Sequence, residues 1–261
     1  MIVTQSQDAC LNSHGCLVRV ERKRLLAHTL KLRREWGDDS GVAKVLMDLS
    51  DTNRLMGLHE EGIRLAREAL GIFERLGDTV GQAQCLQYLA WLLYDDEQLD
   101  AAGETASRAI DLIPEKGYQT LVCDCHRLFG HIYRSKGERE KAIYHYEVAL
   151  EIASSSNSHG RPFWSHYALA ELFLDEDTFD DAHAHVEQAK SHAVNDPYKL
   201  GRAMELQAEV WYKQGRLEEA RSEALRAVDF YQKFGASRDV EDCRGLLQRI
   251  EEETNNPVVS G

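Results

Sequence analysis

Small and large apolar residues recur along this chain with a long, regular beat. Short polar breaks fall at Gly57, Glu97, Gly137, Asp177 and Gly215, spaced by 40, 40, 40 and 38 residues. Five residues after each break stands a small side chain (Gly62, Ala102, Ala142, Ala182, Ala220), and twelve after it another (Ala69, Ala109, Ala149, Ala189, Ala227). Seven residues before each break the side chain is small again (Ser50, Ala90, Gly130, Ala170, Ala208). Between these columns lie larger positions: Leu46 and Leu49, Leu86 and Leu89, His126 and Phe129, His166 and Leu169, then Met204. Three residues past the small column come Leu93, Tyr133, Phe173 and Trp211, with Asn53 as the polar exception. Columns kept in one register over five units predict paired helices, because only Gly, Ala or Ser lets two backbones cross at about 8–10 Å. A single hairpin buries too little to stand alone, so neighbouring hairpins must stack.

The pattern places five units at about 41–78, 81–117, 119–157, 161–195 and 198–235. A closing helix follows over 239–252, with Val240, Cys243, Leu246, Leu247 and Ile250 on one stripe, and then a flexible tail at 253–261. Upstream, Trp36-Gly37-Asp38 aligns one period earlier with Leu76-Gly77-Asp78. Residues 17–37 therefore read as the lone second helix of a truncated repeat, after an irregular segment at 1–16.

The stretch HRLFGHIYRSKGEREKAIYHYEVAL (126–150) resembles the tetratricopeptide repeat, and AIDLIP (109–114) keeps that family's terminal proline. The resemblance implies an all-α fold, a right-handed superhelical solenoid of antiparallel helix hairpins. The period of 40 departs from the family's basic form and is similar to repeats of kinesin light chains, Leu-Gly-Asn-type polarity adaptors and MalT-type regulators. The stretches AWLLYDDEQLDAA, SRAIDLIPEKG, YRSKGEREKAI and EQAKSHAV resemble the C-terminal repeat arms of fungal NLR-like (NB-ARC/NACHT-type) signalling NTPases.

Composition agrees with helices. Ala, Leu, Glu and Arg dominate, and only 4 prolines occur in 261 residues. The net charge of −13 argues against nucleic acid as a partner. A local run of seven bases from Arg19 to Arg34, against the single acid Glu21, reads as a solvated helix face. No apolar run is long enough to span a bilayer, so no membrane partner is expected, and a cytoplasmic location is. Six cysteines follow no disulfide or zinc spacing.

Chemistry is hard to find. No phosphate loop, HExxH or GxSxG motif occurs, so no catalytic residue, metal site or cofactor is expected, and no enzymatic activity. Cys123, Cys125 and His126 point to different sides of one helix. His183, His185 and His192 read as solvated histidines.

By the family resemblance, the first helix of each hairpin lines a concave face that holds a protein or peptide. Carried over, that surface includes Met47, Asp51 and Arg54 early in the array. Its centre is Trp91, Tyr94, Arg127, His131, Arg134 and Tyr167, joined by Trp164, Arg202 and Tyr212. These types are the ones enriched at binding hot spots, and Arg can grip a carboxylate with two hydrogen bonds. The expected ligand is a peptide with acidic and apolar groups. Met47, Asp51 and Trp91 stand where the family's carboxylate clamp needs Lys and Asn, which speaks against that mode. The chain thus reads as a scaffold or adaptor; the alternative is the sensor arm of a STAND-type signalling NTPase. Apolar Leu25, Leu26, Leu30 and Trp36 at the uncapped N-terminal end point to self-association.

Overall fold

The computed structural model describes residues 14–113, 118–155, 161–233 and 237–255, the side chains of 14–18, 161 and 237–238 excepted. Among the described residues there are twelve α-helices and no strand. In chain order they are α1 (His14–Glu35), α2 (Asp39–Leu55), α3 (His59–Leu76), α4 (Thr79–Asp95), α5 (Leu99–Asp111) and α6 (Gln119–Ser135). They continue as α7 (Arg139–Ser155), α8 (Arg161–Asp175), α9 (Phe179–Ser191), α10 (Pro197–Lys213), α11 (Leu217–Lys233) and α12 (Ser237–Asn255). The helices fall into two compact units, one holding α1 (from Cys16) through α7 and the other α8 through α12.

Two kinds of turn alternate. Inside each hairpin the chain reverses through one left-handed residue: Gly57 (φ 71°), Glu97 (61°), Gly137 (72°), Asp177 (56°) and Gly215 (74°). Between hairpins, Gly37 and Gly77 take φ 67° and 66° and end α1 and α3. The next residue then caps the following helix. Asp38 accepts from the Gly41 amide at 2.9 Å, and Asp78 from the Gly81 amide at 2.8 Å. The register shared by Trp36-Gly37-Asp38 and Leu76-Gly77-Asp78 is thus one helix-stop, helix-start device used twice. The corresponding stretch 234–236 lies outside the described residues.

The small columns sit where helices cross. Ser50, Ala90, Ala170 and Ala208 are fully buried, as are Ala102, Ala142, Ala182 and Ala220 and the column from Ala69 to Ala227. At Gly62 an added Cβ would lie 2.7 Å from Leu92 Cδ2 and 3.2 Å from the Ser50 carbonyl. The Ser50 hydroxyl instead donates to the Gly62 carbonyl at 2.9 Å and ties the two columns together. At Gly130 an added Cβ would enter the Tyr146 ring.

Some boundaries and faces differ from the sequence reading. Helix α1 starts at His14, so residues 14–16 are helical, while 1–13 lie outside the described residues. Helix α12 runs past 252 to Asn255, and the Thr254 hydroxyl donates to the Ile250 carbonyl at 2.8 Å in this last turn. The basic run of α1 is not simply solvated. Arg19 donates to the Leu55 carbonyl (2.7 Å), Arg22 faces Asp51 (3.8 Å) and Arg34 binds Glu68 (2.6 Å), so these bases fasten α1 to α2 and α3. Leu26 and Leu30 pack on the core beneath, whereas Leu25 and Trp36 stay exposed.

Glu97 and Asp177 hold the left-handed turn conformation without the freedom of glycine, at a cost of about 1–2 kcal/mol each. Glu97→Gly and Asp177→Gly are therefore expected to raise the melting temperature, each by about 0.5–1 kcal/mol of stability once the added chain entropy of glycine is counted. Thermal unfolding of the two variants checks this; a lowered midpoint would contradict it.

Candidate functional site

Successive first helices bring part of the expected face together in the first unit. Trp91 on α4 meets His131 on α6 edge-on, ring centres 5.5 Å apart, and Tyr94 lies 6.0 Å from Trp91 and 5.9 Å from His131. The Arg127 guanidinium stands over the Trp91 ring at 4.9 Å, a cation–π contact. Tyr94 and Ser135 share a hydrogen bond of 3.3 Å between their hydroxyls. All four of Trp91, Tyr94, Arg127 and His131 are half-buried.

The arginines are already engaged. Arg127 donates to Asp124 at 3.2 Å, and Arg54 bridges Asp51 (3.5 Å) and Asp95 (3.0 Å). A ligand carboxylate would have to displace Asp124 to take up Arg127. Tyr88, half-buried on the same helices, has its phenol pKa raised by burial and then by Asp51, Asp48 and Asp124. Met47, expected on the binding face, is buried in the core instead. Arg134 is half-buried at the end of α6.

His131 is the group most altered by its setting. Burial against Trp91, Tyr94 and Tyr146, then the nearby charges of Arg127 and Arg134, push its pKa down to about 3. The ring is therefore neutral at physiological pH.

Trp164, Tyr167, Arg202 and Tyr212 belong to the second unit. Tyr167 is buried, and its hydroxyl accepts from Arg202 at 2.9 Å. Arg202 also reaches Glu205 at 3.3 Å, and the Tyr231 hydroxyl donates to the same carboxylate at 2.9 Å. This closed network makes Tyr167 a packing residue, not an open contact. Trp164 stacks edge-on to Phe163 (4.8 Å), and Tyr212 carries Arg249 over its ring at 5.5 Å. Burial raises the carboxyl pKa of Glu205 and Glu209.

Other groups outside this face are engaged in packing. Cys123 donates to the Ala149 carbonyl at 3.3 Å, and Cys125 is buried with its thiol pKa pushed up to about 12. These are core thiols. Of the three histidines expected to be solvated, two are packed: His183 bonds Gln207 at 2.8 Å and His185 bonds His166 at 3.0 Å, whereas His192 is exposed, with its ring stacked on His166 at 5.7 Å. Asn53 is fully buried, and neither atom of its amide has a hydrogen-bond partner among the described residues. Its placement opposite the larger apolar residues of later repeats was the one signal in the sequence.

No family model matches the chain. It is 25% identical over 229 residues to the protein Kinesin Light Chain-Related 3 of Arabidopsis thaliana, covering 83% of this chain and 35% of that one, so it spans about a third of that relative's length. Among solved structures it resembles BtubC (BKLC) from P. vanneervenii, with a TM-score of 0.61, 18% identity and coverage of 93% of this chain and 94% of that chain. It also resembles the STAND signal-transduction ATPase with a tetratricopeptide-repeat sensor from Pyrococcus horikoshii, with a TM-score of 0.64 and 18% identity, covering 86% of this chain and 35% of that one.

The depressed His131 pKa carries a sign. A neutral-held histidine contributes its full stability above the unfolded pKa of about 6.5 and loses it as pH falls toward about 3. Between pH 7.5 and pH 5 this one group is expected to withdraw about 2 kcal/mol. Parallel denaturant unfolding of the parent and His131→Phe checks it: the parent should lose more stability over that range than the variant. Equal losses would contradict the assignment.

Proposed function

We propose that this chain, whose fold is that of the tetratricopeptide-repeat proteins, is a non-catalytic interaction module that holds a peptide or protein on the inner face formed by its first helices. One observation carries the reading: Trp91, Tyr94, Arg127 and His131, drawn from two successive first helices, meet in a half-buried cluster. Rigid aromatic rings packed edge to face lose little entropy on contact, and a guanidinium laid over Trp91 extends the platform. The partner we infer lays an apolar or aromatic group on this platform and offers an acidic group that exchanges with Asp124 for Arg127. In the second unit the Tyr167–Arg202–Glu205–Tyr231 network stiffens the hairpins, and Trp164 and Tyr212 supply the contacts.

A second reading is the sensor arm of a larger signalling NTPase. The similarity to the repeat-bearing STAND protein, which extends over 86% of this chain but 35% of that protein, favours it. Both readings use the same face, and differ in whether the module is tethered to a nucleotide-binding engine.

Affinity capture from the native cell, with the parent and with Arg127→Ala and Trp91→Leu, tests the shared claim. Each variant is expected to recover the specific partner about tenfold less well, corresponding to about 1.4 kcal/mol. Circular dichroism should show unchanged helix content. Full recovery by both folded variants would remove this face from consideration.

A further inference from the structure

Two hairpins carry the same unusual pair of side chains at the same place. His126 on α6 meets His145 on α7 with their Nδ1 atoms 3.0 Å apart, and His166 on α8 meets His185 on α9 at the same 3.0 Å. Partners are 19 residues apart in both cases, and one repeat period of 40 residues separates the two pairs. The earlier hairpins place Leu46 with Leu65 and Leu86 with Thr105 at the same two positions. Histidine thus enters both columns together, twice, and neither column alone. A leucine pair is available to this fold at that crossing and would bury more apolar surface without polar atoms to satisfy.

The rings are held in place by their neighbours. Tyr133 stacks on His145 at 5.3 Å and 9°, and Phe173, one period later, stacks on His185 at 5.4 Å and 20°. Phe129 closes the first pair at 5.1 Å from His145, and His192 flanks the second at 5.7 Å from His166. All four paired histidines are half-buried. Two imidazole nitrogens at 2.0–2.1 Å from one ion and 3.0 Å from each other subtend about 90° at that ion, the angle of adjacent positions in octahedral or tetragonal coordination.

We propose that His126 with His145, and His166 with His185, are two-ligand sites for a late divalent transition ion of the kind that favours imidazole, such as Zn2+ or Ni2+. Among the described residues no group of three or more His, Cys, Asp or Glu side chains is placed to hold a metal ion. The remaining positions on the ion therefore go to water or to a group from a bound partner. Binding exchanges the Nδ1–H···Nδ1 hydrogen bond for two Nδ1–metal bonds, with the displaced proton moving to Nε2 of the same ring, so no net charge is lost from the pair. The ion ties the two helices of one hairpin together, α6 to α7 and α8 to α9.

Untagged full chain, cleared of metal with a chelator, is titrated with ZnCl2 in competition with a chromophoric indicator. The parent is expected to bind two equivalents more than a fourfold His126→Leu, His145→Leu, His166→Leu, His185→Leu variant. Each twofold variant, which restores the leucine pair of the first hairpin, should lose one. Zinc should raise the parent's melting temperature and leave that of the fourfold variant unmoved. If the leucine variants do not fold, His145→Gln and His185→Gln keep a polar ring-sized partner and should each remove one equivalent. No zinc binding by the parent, or unchanged stoichiometry in the folded variants, overturns the proposal; the latter outcome assigns the binding to scattered surface histidines.

Discussion

Close approach of helix backbones is the constraint from which the rest follows. Where α2 crosses α3, Ser50 meets Gly62 with no room for a methyl group, and the same crossing recurs with Ala90 and Ala102, then Ala170 and Ala182. Van der Waals contact at that distance is lost steeply if either residue grows. The hairpin geometry in turn fixes where each side chain of a first helix points. It sets Trp91 beside His131 though forty residues of chain separate them, and it sets Arg54 between Asp51 and Asp95. The large side chains fill what the small ones define, with Tyr146 and Phe73 taking the space left by Gly130 and Gly81.

The charged groups on the first helices are partnered differently in the two units. In the first unit, Arg54 pairs with Asp51 and Asp95, and Arg127 with Asp124, with side chains 19–27% exposed. In the second, Arg202 donates to both the Tyr167 hydroxyl and the Glu205 carboxylate, and Tyr231 holds that carboxylate from the other side, so the ion pair is built into a longer network of comparable exposure.

Much of the architecture could be read from residue types at fixed spacing. The turns at Gly57, Gly137 and Gly215 announce themselves because a left-handed residue favours glycine, and the period carried the reading across Glu97 and Asp177, which give no such signal. The closing stripe on α12 was legible for the same reason that any amphipathic helix is. The site was legible only in part. Trp91, Tyr94, Arg127 and His131 come from helix faces that periodicity can locate. That Arg127 is held by Asp124 three residues earlier is a local pairing visible in principle, whereas the enclosure of Tyr167 by Arg202 depends on a contact 35 residues away. The histidine pairs were missed because their partners lie on opposite sides of a turn. Comparing the two columns repeat by repeat, and noticing histidine matched to histidine, would have found them.

The claim beneath all of this is that small residues at the helix crossings, not helix propensity, hold the hairpins in register. Thermal unfolding of Ala149→Leu and Ala189→Leu beside Glu151→Leu and Glu187→Leu tests it, since each pair places the same side chain on one helix, at a buried crossing or on an exposed face. The crossing variants are expected to lose about 1–3 kcal/mol or more through overpacking, and the exposed ones to stay within about 0.5 kcal/mol of the parent. Crossing variants as stable as their exposed controls would contradict the account.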